Sequence, residues 1–545
     1  MTDPPGSPGT GGTDLSRPYQ EKLETGGLVR SSAVVGVGTG LSRVTGLVRT
    51  VVLAYALGKF VLADAYNLAN TTPNIVYDLI LGGVLSATLV PVFVDRFEHD
   101  DDDAVNAVVT VVTSALVGLT VAAIVAAPLI FHAYTWAADK DAPALERAGV
   151  PLLRLFLPQV FFYGLTALGT AILNARRRFA APAYVPVLNN ILVCAVLLWF
   201  AHDAGRAPSV NDLVDHPARL WLLGGGTTAG IAVMTIALWP SLRASGWRWR
   251  WRFRPRDPAV RKIVALSGWT LGYVVANQIA LAVVLALATG EGAGQASAYL
   301  YAFQFFQLPY GLFAVSLMTT VTPELASAVS RDDMAGFRAQ LSHGIRLMTL
   351  VILPSSVGMV VVARPLIVGL FVHGSFSTGD AVLTADVLAN FALGLLGFSL
   401  YLFVLCGFYA LHDTRTPFQL NLLENGVNLA LAFAFVSRWG AQGLAFSYSA
   451  AYAIAAVVAF AALRRRVGRL EGRRLAISTG RVAIASAAMG GLVWMVVHAV
   501  GDPSGSGAIA RLVAGVVTGV VVFGVAVLAL RVDEVETLRK RLRRA

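Results

Sequence analysis

Two arginines, Arg43 and Arg49, interrupt the apolar stretch LSRVTGLVRTVVLAYALG near the start of the chain. A guanidinium stays charged when partly dehydrated and meets a phosphate through two parallel N–H···O bonds, so the pair suits an anion. If Ser42 to Thr50 is helical, the two lie about 9 Å apart along the axis and about 120° apart around it, able to grip two parts of one anion without stacking. The next apolar stretch carries Asp64, Asn67, Asn70, Pro73, Asn74, Tyr77 and Asp78. A charge deep in a bilayer costs roughly 3 kcal/mol or more, which directs such residues toward a bundle interior or a wet cavity. Ion pairing of the arginines with Asp64 or Asp78, or snorkelling to an interface, is the structural alternative. Asp64 follows a short loop and suits either an N-cap of the second helix or a place in a binding site. Pro73 before Asn74 predicts a kink, as a hinge or as a static bend, with a freed carbonyl for the amide to satisfy.

Later in the chain, Gln304 and Gln307 precede Pro309, a second hinge candidate, and Glu424 stands beside Asn425. Glu424 and Asp78 are the candidates for ion or proton coupling; Glu424 belongs either to a cavity wall or to the cytoplasmic interface. Nothing points to an enzyme, a cofactor or a metal. The eight histidines lack ligand spacing, there is no Walker loop, and the two cysteines, Cys194 and Cys406, sit in apolar runs.

The elements that must position these residues are membrane spans. The 545 residues are 56% hydrophobic and 14% charged, with mean hydropathy +0.66, against about 25% charged in a soluble protein. The fold class is therefore all-α and polytopic. Apolar runs predict fourteen spans at about 33–57, 63–94, 104–135, 149–175, 182–202, 217–240, 262–289, 297–327, 345–371, 381–410, 416–436, 440–463, 476–500 and 508–531. With the N-terminus cytoplasmic, that side holds 32 Lys and Arg and the other side six, which places both termini inside. The chain divides into a disordered tail (1–30), a first lobe of six spans (31–245), a basic and aromatic linker (246–261), a second lobe of six spans (262–463), two further spans (464–531) and a basic tail (532–545).

The lobes read as a repeat. AAPAYVPVLNN at 180–190 aligns with RTPFQLNLLEN at 415–425, setting Asn190 on Asn425 at an offset of 235, and Pro73 and Pro309 differ by 236. An even number of spans per copy gives both the same orientation, with a cavity expected between them. The linker interleaves Trp247, Trp249, Trp251 and Phe253 with Arg248, Arg250, Arg252 and Arg254. That alternation suits a strand or an interfacial segment on anionic lipid; tethering on both sides argues against nucleic acid.

The stretches SRVTGLVRTVVLAYALG, ADAYNLANTTPN and ATLVPVF, with LFLPQVFFYGLTALGTAILNARRRFAAPAYVPVLNN and GFYALHDTRTP, resemble the MurJ (MviN) lipid II flippases of the multidrug/oligosaccharidyl-lipid/polysaccharide exporter superfamily. The resemblance implies fourteen helices, a central cationic cavity and two extra helices forming a groove for a lipid tail. It also implies that Arg43, Arg49 and Asp64 match functional positions, the arginines reaching a pyrophosphate. Two family arginines are replaced here, by Tyr77 and Gln304, and Thr50 stands where an acidic residue is common, so the cavity is expected to be less positive than usual. Asn74, Tyr77 and Gln304 complete the expected substrate site. The function implied is transfer of the lipid-linked peptidoglycan precursor between leaflets of the cytoplasmic membrane in cell-wall biogenesis, with lipid II, membrane lipids and cell-wall synthesis proteins as partners. Export of another lipid-linked glycan or a drug, or a non-transporting scaffold, are the alternatives.

Overall fold

The structure is a computed structural model describing residues 16–58, 61–79, 89–138, 140–205, 208–468, 470–502 and 505–536, with the side chains of 16–33, 76–79 and 264–271 outside the description. Among the described residues every regular element is a helix. The first half contains α1 (Ser16–Leu57), α2 (Val61–Leu79), α3 (Val90–Glu98), α4 (Asp102–Val125), α5 (Ala127–Thr135), α6 (Ala142–Phe156), α7 (Pro158–Ala175), α8 (Ala180–Ala204), the short α9 (Val210–Val214) and α10 (Pro217–Leu220), and α11 (Gly226–Ala244). The second contains α12 (Pro258–Gly290), α13 (Gln295–Pro309), α14 (Val315–Ser330), α15 (Met334–Phe371), α16 (Thr378–Leu393), α17 (Leu395–Ala410) and α18 (Arg415–Val467), followed by α19 (Gly472–Ala499) and α20 (Gly505–Ala529).

Among the described residues eleven helices are long and apolar enough to cross a membrane, or twelve when α16 and α17, bent by 43°, count as one span. The expected fourteen are not reached in that count, for two reasons. At 53 residues, α18 would run about 80 Å, far beyond a hydrocarbon core of about 30 Å. It turns back at Gly440 (φ 53, ψ −136), a left-handed conformation that glycine adopts without a Cβ clash, so the spans expected at 416–436 and 440–463 lie within this one element. Within the span expected at 63–94 the described residues show α2 as far as Leu79 and α3 from Val90, and 80–88 lie outside the described residues, so neither piece enters the count.

In the first half α1 lies on α8, α2 on α6, and α11 on α7 and α8; in the second α12 lies on α18, α13 on α16, and α17 on α18. Helices α19 and α20 pack on each other and on α15. Buried Arg346 of α15 reaches Glu534 at 2.6 Å and Glu471 at 3.3 Å, and Ser478 also donates to Glu534 at 3.0 Å. The start of the expected basic tail is thereby docked. At the other terminus α1 already begins at Ser16, inside the stretch expected to be a disordered tail.

The halves meet mainly where α2 and α5 approach α12 and α13. There the Thr289 hydroxyl donates to the Tyr134 carbonyl at 2.7 Å, and nearby the Ser375 amide donates to the Tyr55 carbonyl at 3.1 Å. The linker forms no strand; it lies along α4, its Arg250 amide donating to Asn106 Oδ1 (3.0 Å) and its Arg252 amide to Thr110 Oγ1 (3.1 Å).

Candidate functional site

Helix α1 owes its position to Asn190 of α8, whose amide donates to the Ser42 carbonyl at 3.2 Å and to Thr45 Oγ1 at 3.0 Å. That anchor turns Arg43 and Arg49 into a cavity of ≈ 460 Å³ between the halves. From the first half come Ser42, Arg43, Arg49, Asn74, Tyr163 and Asn189; from the second come Gln278 of α12 and Gln304 and Gln307 of α13. A narrower continuation of ≈ 90 Å³ shares Arg49, Asn74 and Gln304 and adds Asn67, Asn70, Thr227 and Tyr301. Among the described residues no carboxylate lines either space, and neither Arg43 nor Arg49 has a carboxylate within ion-pair distance. Two fixed positive charges therefore face a polar, otherwise neutral chamber, an arrangement that favours an anion entering it.

Arg43 also crosses to the other half. A Cβ built on Gly311 would lie 2.3 Å from Arg43 Nη1, so the guanidinium rests on the backbone of that turn. The turn is a π-helical segment, Tyr310–Ala314, directly after Pro309. Pro309 has no N–H to donate into the preceding turn, and the hydrogen-bond register widens there, as π segments commonly do beside functional sites. Pro73 acts differently: α2 continues through it as one helix to Leu79. The Asn74 side chain does not repair a freed carbonyl but accepts a hydrogen bond from the Tyr163 hydroxyl at 3.0 Å.

Asp64 lines neither space; its carboxylate caps α13 across the interface. Its carboxylate, 1% exposed, accepts hydrogen bonds from the Gly294 amide, the Ser297 amide (2.7 Å) and the Ser297 hydroxyl (2.6 Å). Gly294 stands at the N-cap with φ 81, where a side chain would be strained. A carboxylate at a helix N-terminus satisfies orphan amides and meets the positive end of the dipole. Asn67 adds an amide donated to Ser297 Oγ at 2.9 Å, so this end of the interface is sealed by α2 on the start of α13.

Glu424 likewise lines neither space. It is enclosed within the second half at 1% exposure, with Tyr299 of α13, Tyr401 of α17 and Tyr448 and Tyr452 of α18 as neighbours, and its Oε2 has no hydrogen-bond partner among the described residues. Its burial places it inside the second half and off the lining of either space. Beside it Asn421 and Asn425 both donate to Asn277 Oδ1, at 3.1 and 3.0 Å. The expected roles of Tyr77 and Asp78 fall on side chains outside the described residues. Among the described residues no group of three or more His, Cys, Asp or Glu is placed to hold a metal ion.

Gln278 and Tyr163 are cavity residues that sequence reasoning missed. The repeat contained a signal for the first, since adding the offset of 235 to Arg43 gives Gln278; nothing in the sequence marks Tyr163.

A family model described as lipid II flippase MurJ matches residues 53–514, most of the chain. The chain belongs to the MurJ lipid II flippase family. It is similar to the probable lipid II flippase MurJ of Haemophilus influenzae, at 28% identity over 478 residues covering 84% of this chain and 90% of that relative. Among solved structures, that of lipid II flippase MurJ in an inward closed conformation superposes with TM-score 0.74 and 21% identity over 91% of this chain and 99% of that one. An inward-facing multidrug resistance MATE family transporter of the MOP superfamily shares the fold at TM-score 0.64 and 14% identity, over 79% and 96% of the two chains. Membership of the MurJ family agrees with the all-helical, many-span architecture and with the arginine-lined cavity between halves.

Proposed function

We propose that the protein moves lipid II, an undecaprenyl-pyrophosphate-linked peptidoglycan precursor, from the inner to the outer leaflet of the cytoplasmic membrane by alternating access of two lobes, 31–245 and 262–463. The observation that carries this reading is the pair of guanidinium groups, without carboxylate partners among the described residues, in a chamber between the halves. A pyrophosphate headgroup is too polar to cross hydrocarbon unaided, and two arginines about 9 Å apart along α1 span its two phosphates and the first sugar. Asn74, Gln304 and Gln307 supply neutral donors and acceptors for sugar and peptide groups, while the tail remains in the bilayer. With both termini cytoplasmic, as the Lys and Arg distribution favours, the end sealed by Asp64 and Ser297 is the outer one, and the chamber belongs to an inward form.

Glu424 is assigned to coupling. A buried carboxylate with an unpartnered oxygen is stable only when protonated or neutralised by a cation, so its occupancy responds to either gradient. A cationic-drug exporter would be served by acidic cavity walls, which the described lining lacks.

The test is reconstitution in liposomes with labelled lipid-linked precursor, scoring exposure in the opposite leaflet. Charged hydrogen bonds are worth roughly 1.5–3 kcal/mol each, so replacing Arg43 and Arg49 together by Ala should slow transfer about 100-fold or more with normal expression. Unchanged transfer would overturn the headgroup assignment, and scrambling without headgroup selectivity would overturn dedicated transport.

A further inference from the structure

A second cavity, of ≈ 450 Å³, opens where α11 leaves the membrane and the linker begins; it is lined by Trp239, Leu242, Arg243, Trp247, Arg248 and Trp249. We propose that it binds the phosphate of an anionic glycerophospholipid, held by Arg243, Arg248 and the indole N–H of Trp247.

Three observations converge on it. Trp247 is 4% exposed, and its Nε1 has no hydrogen-bond partner among the described residues. An indole N–H is a donor only, and leaving one buried without an acceptor costs about 1–3 kcal/mol, so a small shift of Trp247 toward an oxygen bound in the cavity is favoured. Charge is the second. The neighbouring acids are engaged elsewhere: Asp101 with Arg96 (3.3 Å), Asp102 with Arg176 (3.3 Å) and Asp103 with Arg252 (3.5 Å). Arg243 and Arg248 have no ion-pair partner among the described residues; Arg243 lies over the Trp239 ring at 5.2 Å.

The third observation is rigidity at the right depth. Asn106 and Thr110, both buried, hold the linker backbone at alternate residues, so the cavity is formed in advance of a ligand. Trp239, Trp249, Trp251 and Phe253 are exposed beside it, and aromatic residues of this kind settle at the headgroup level of a bilayer. An occupant with a phosphate for the arginines and an apolar stem for Trp239 and Leu242 is a glycerophospholipid rather than a soluble phosphate. The site is separate from the central chamber and does not depend on the transport reading.

The test is native mass spectrometry of the delipidated full-length protein titrated with phosphatidylglycerol or phosphatidylcholine. The wild type should bind one phosphatidylglycerol about tenfold more tightly than phosphatidylcholine. R243Q/R248Q should lose that preference and W247F should weaken it about threefold, all three proteins keeping the same unfolding midpoint in lipid-free detergent. Should the glutamine pair lower that midpoint, R243K/R248K keeps the charge and should retain the preference while losing part of the affinity. Equal binding of phosphatidylglycerol by wild type and R243Q/R248Q would overturn the proposal. So would equal binding of the two lipids by the wild type, or displacement of phosphatidylglycerol by millimolar inorganic phosphate.

Discussion

The two halves use the same joint and put different chemistry on it. In the first, Asn190 of α8 ties α1 through the Ser42 carbonyl; in the second, Asn425 of α18 ties α12 through Asn277, and both asparagines and both partners differ by 235 residues. One position beyond each joint, the first half presents Arg43 and the second Gln278, and both line the chamber. Gln304 and Gln307 continue the neutral side. The joint is thus retained for geometry, while charge is confined to one wall. In the transport cycle proposed above, an anion bound there would be held by one half, and the other could move against it without breaking a charged contact.

The sharpest way to break this comparison is to move the charge. Exchanging the two positions as R43Q/Q278R keeps the net charge and should still lower leaflet transfer about tenfold or more, because Arg49 is then left as the single arginine that α1 presents to the chamber; transfer assays in liposomes decide it. The seal comes next. D64N should favour opening of the sealed end by about tenfold, since it weakens charged hydrogen bonds worth roughly 1.5–3 kcal/mol. Spin labels at Lys140 and Glu291 should then report longer and broader distances. G311A presses on the flexible end of Arg43 rather than on backbone, so it should lower transfer by a few-fold and leave thermal stability unchanged.

The joint itself predicts symmetry: N190A and N425A should each lower stability by about 0.6–2 kcal/mol, the range for polar contacts between membrane helices. Unequal unfolding midpoints would show that the repeat is not mechanically equivalent. The smallest effect concerns Asp413, in the loop before α18. Burial works against its charge, but Thr416 and Arg466 hold its carboxyl below the usual carboxylate range. Its contribution is then fully present above about pH 4, the ordinary value, and is lost as pH falls through the lower folded value. D413N should therefore be less stable than the wild type at neutral pH and converge with it in acid.

The architecture was legible because a span declares itself by length and apolar content, and the two arginines because a bilayer makes charge conspicuous. Asp64 and Glu424 were equally conspicuous, yet their surroundings were not readable. Asp64 meets two amides and the Ser297 hydroxyl at a helix start 230 residues away, and backbone amides leave no trace in a sequence. Glu424 is surrounded by aromatic residues from three helices whose approach no local pattern encodes. The turn at Gly440 was legible to within a few residues, since the spans expected at 416–436 and 440–463 part there.

The contact between Asp64 and the first turn of α13 has one more consequence. Pulling it apart strands a carboxylate and two backbone amides in a dry crevice, unless solvent replaces each lost partner as it leaves. Wetting of that crevice is therefore part of parting the halves, and cosolutes that draw water away should keep them shut.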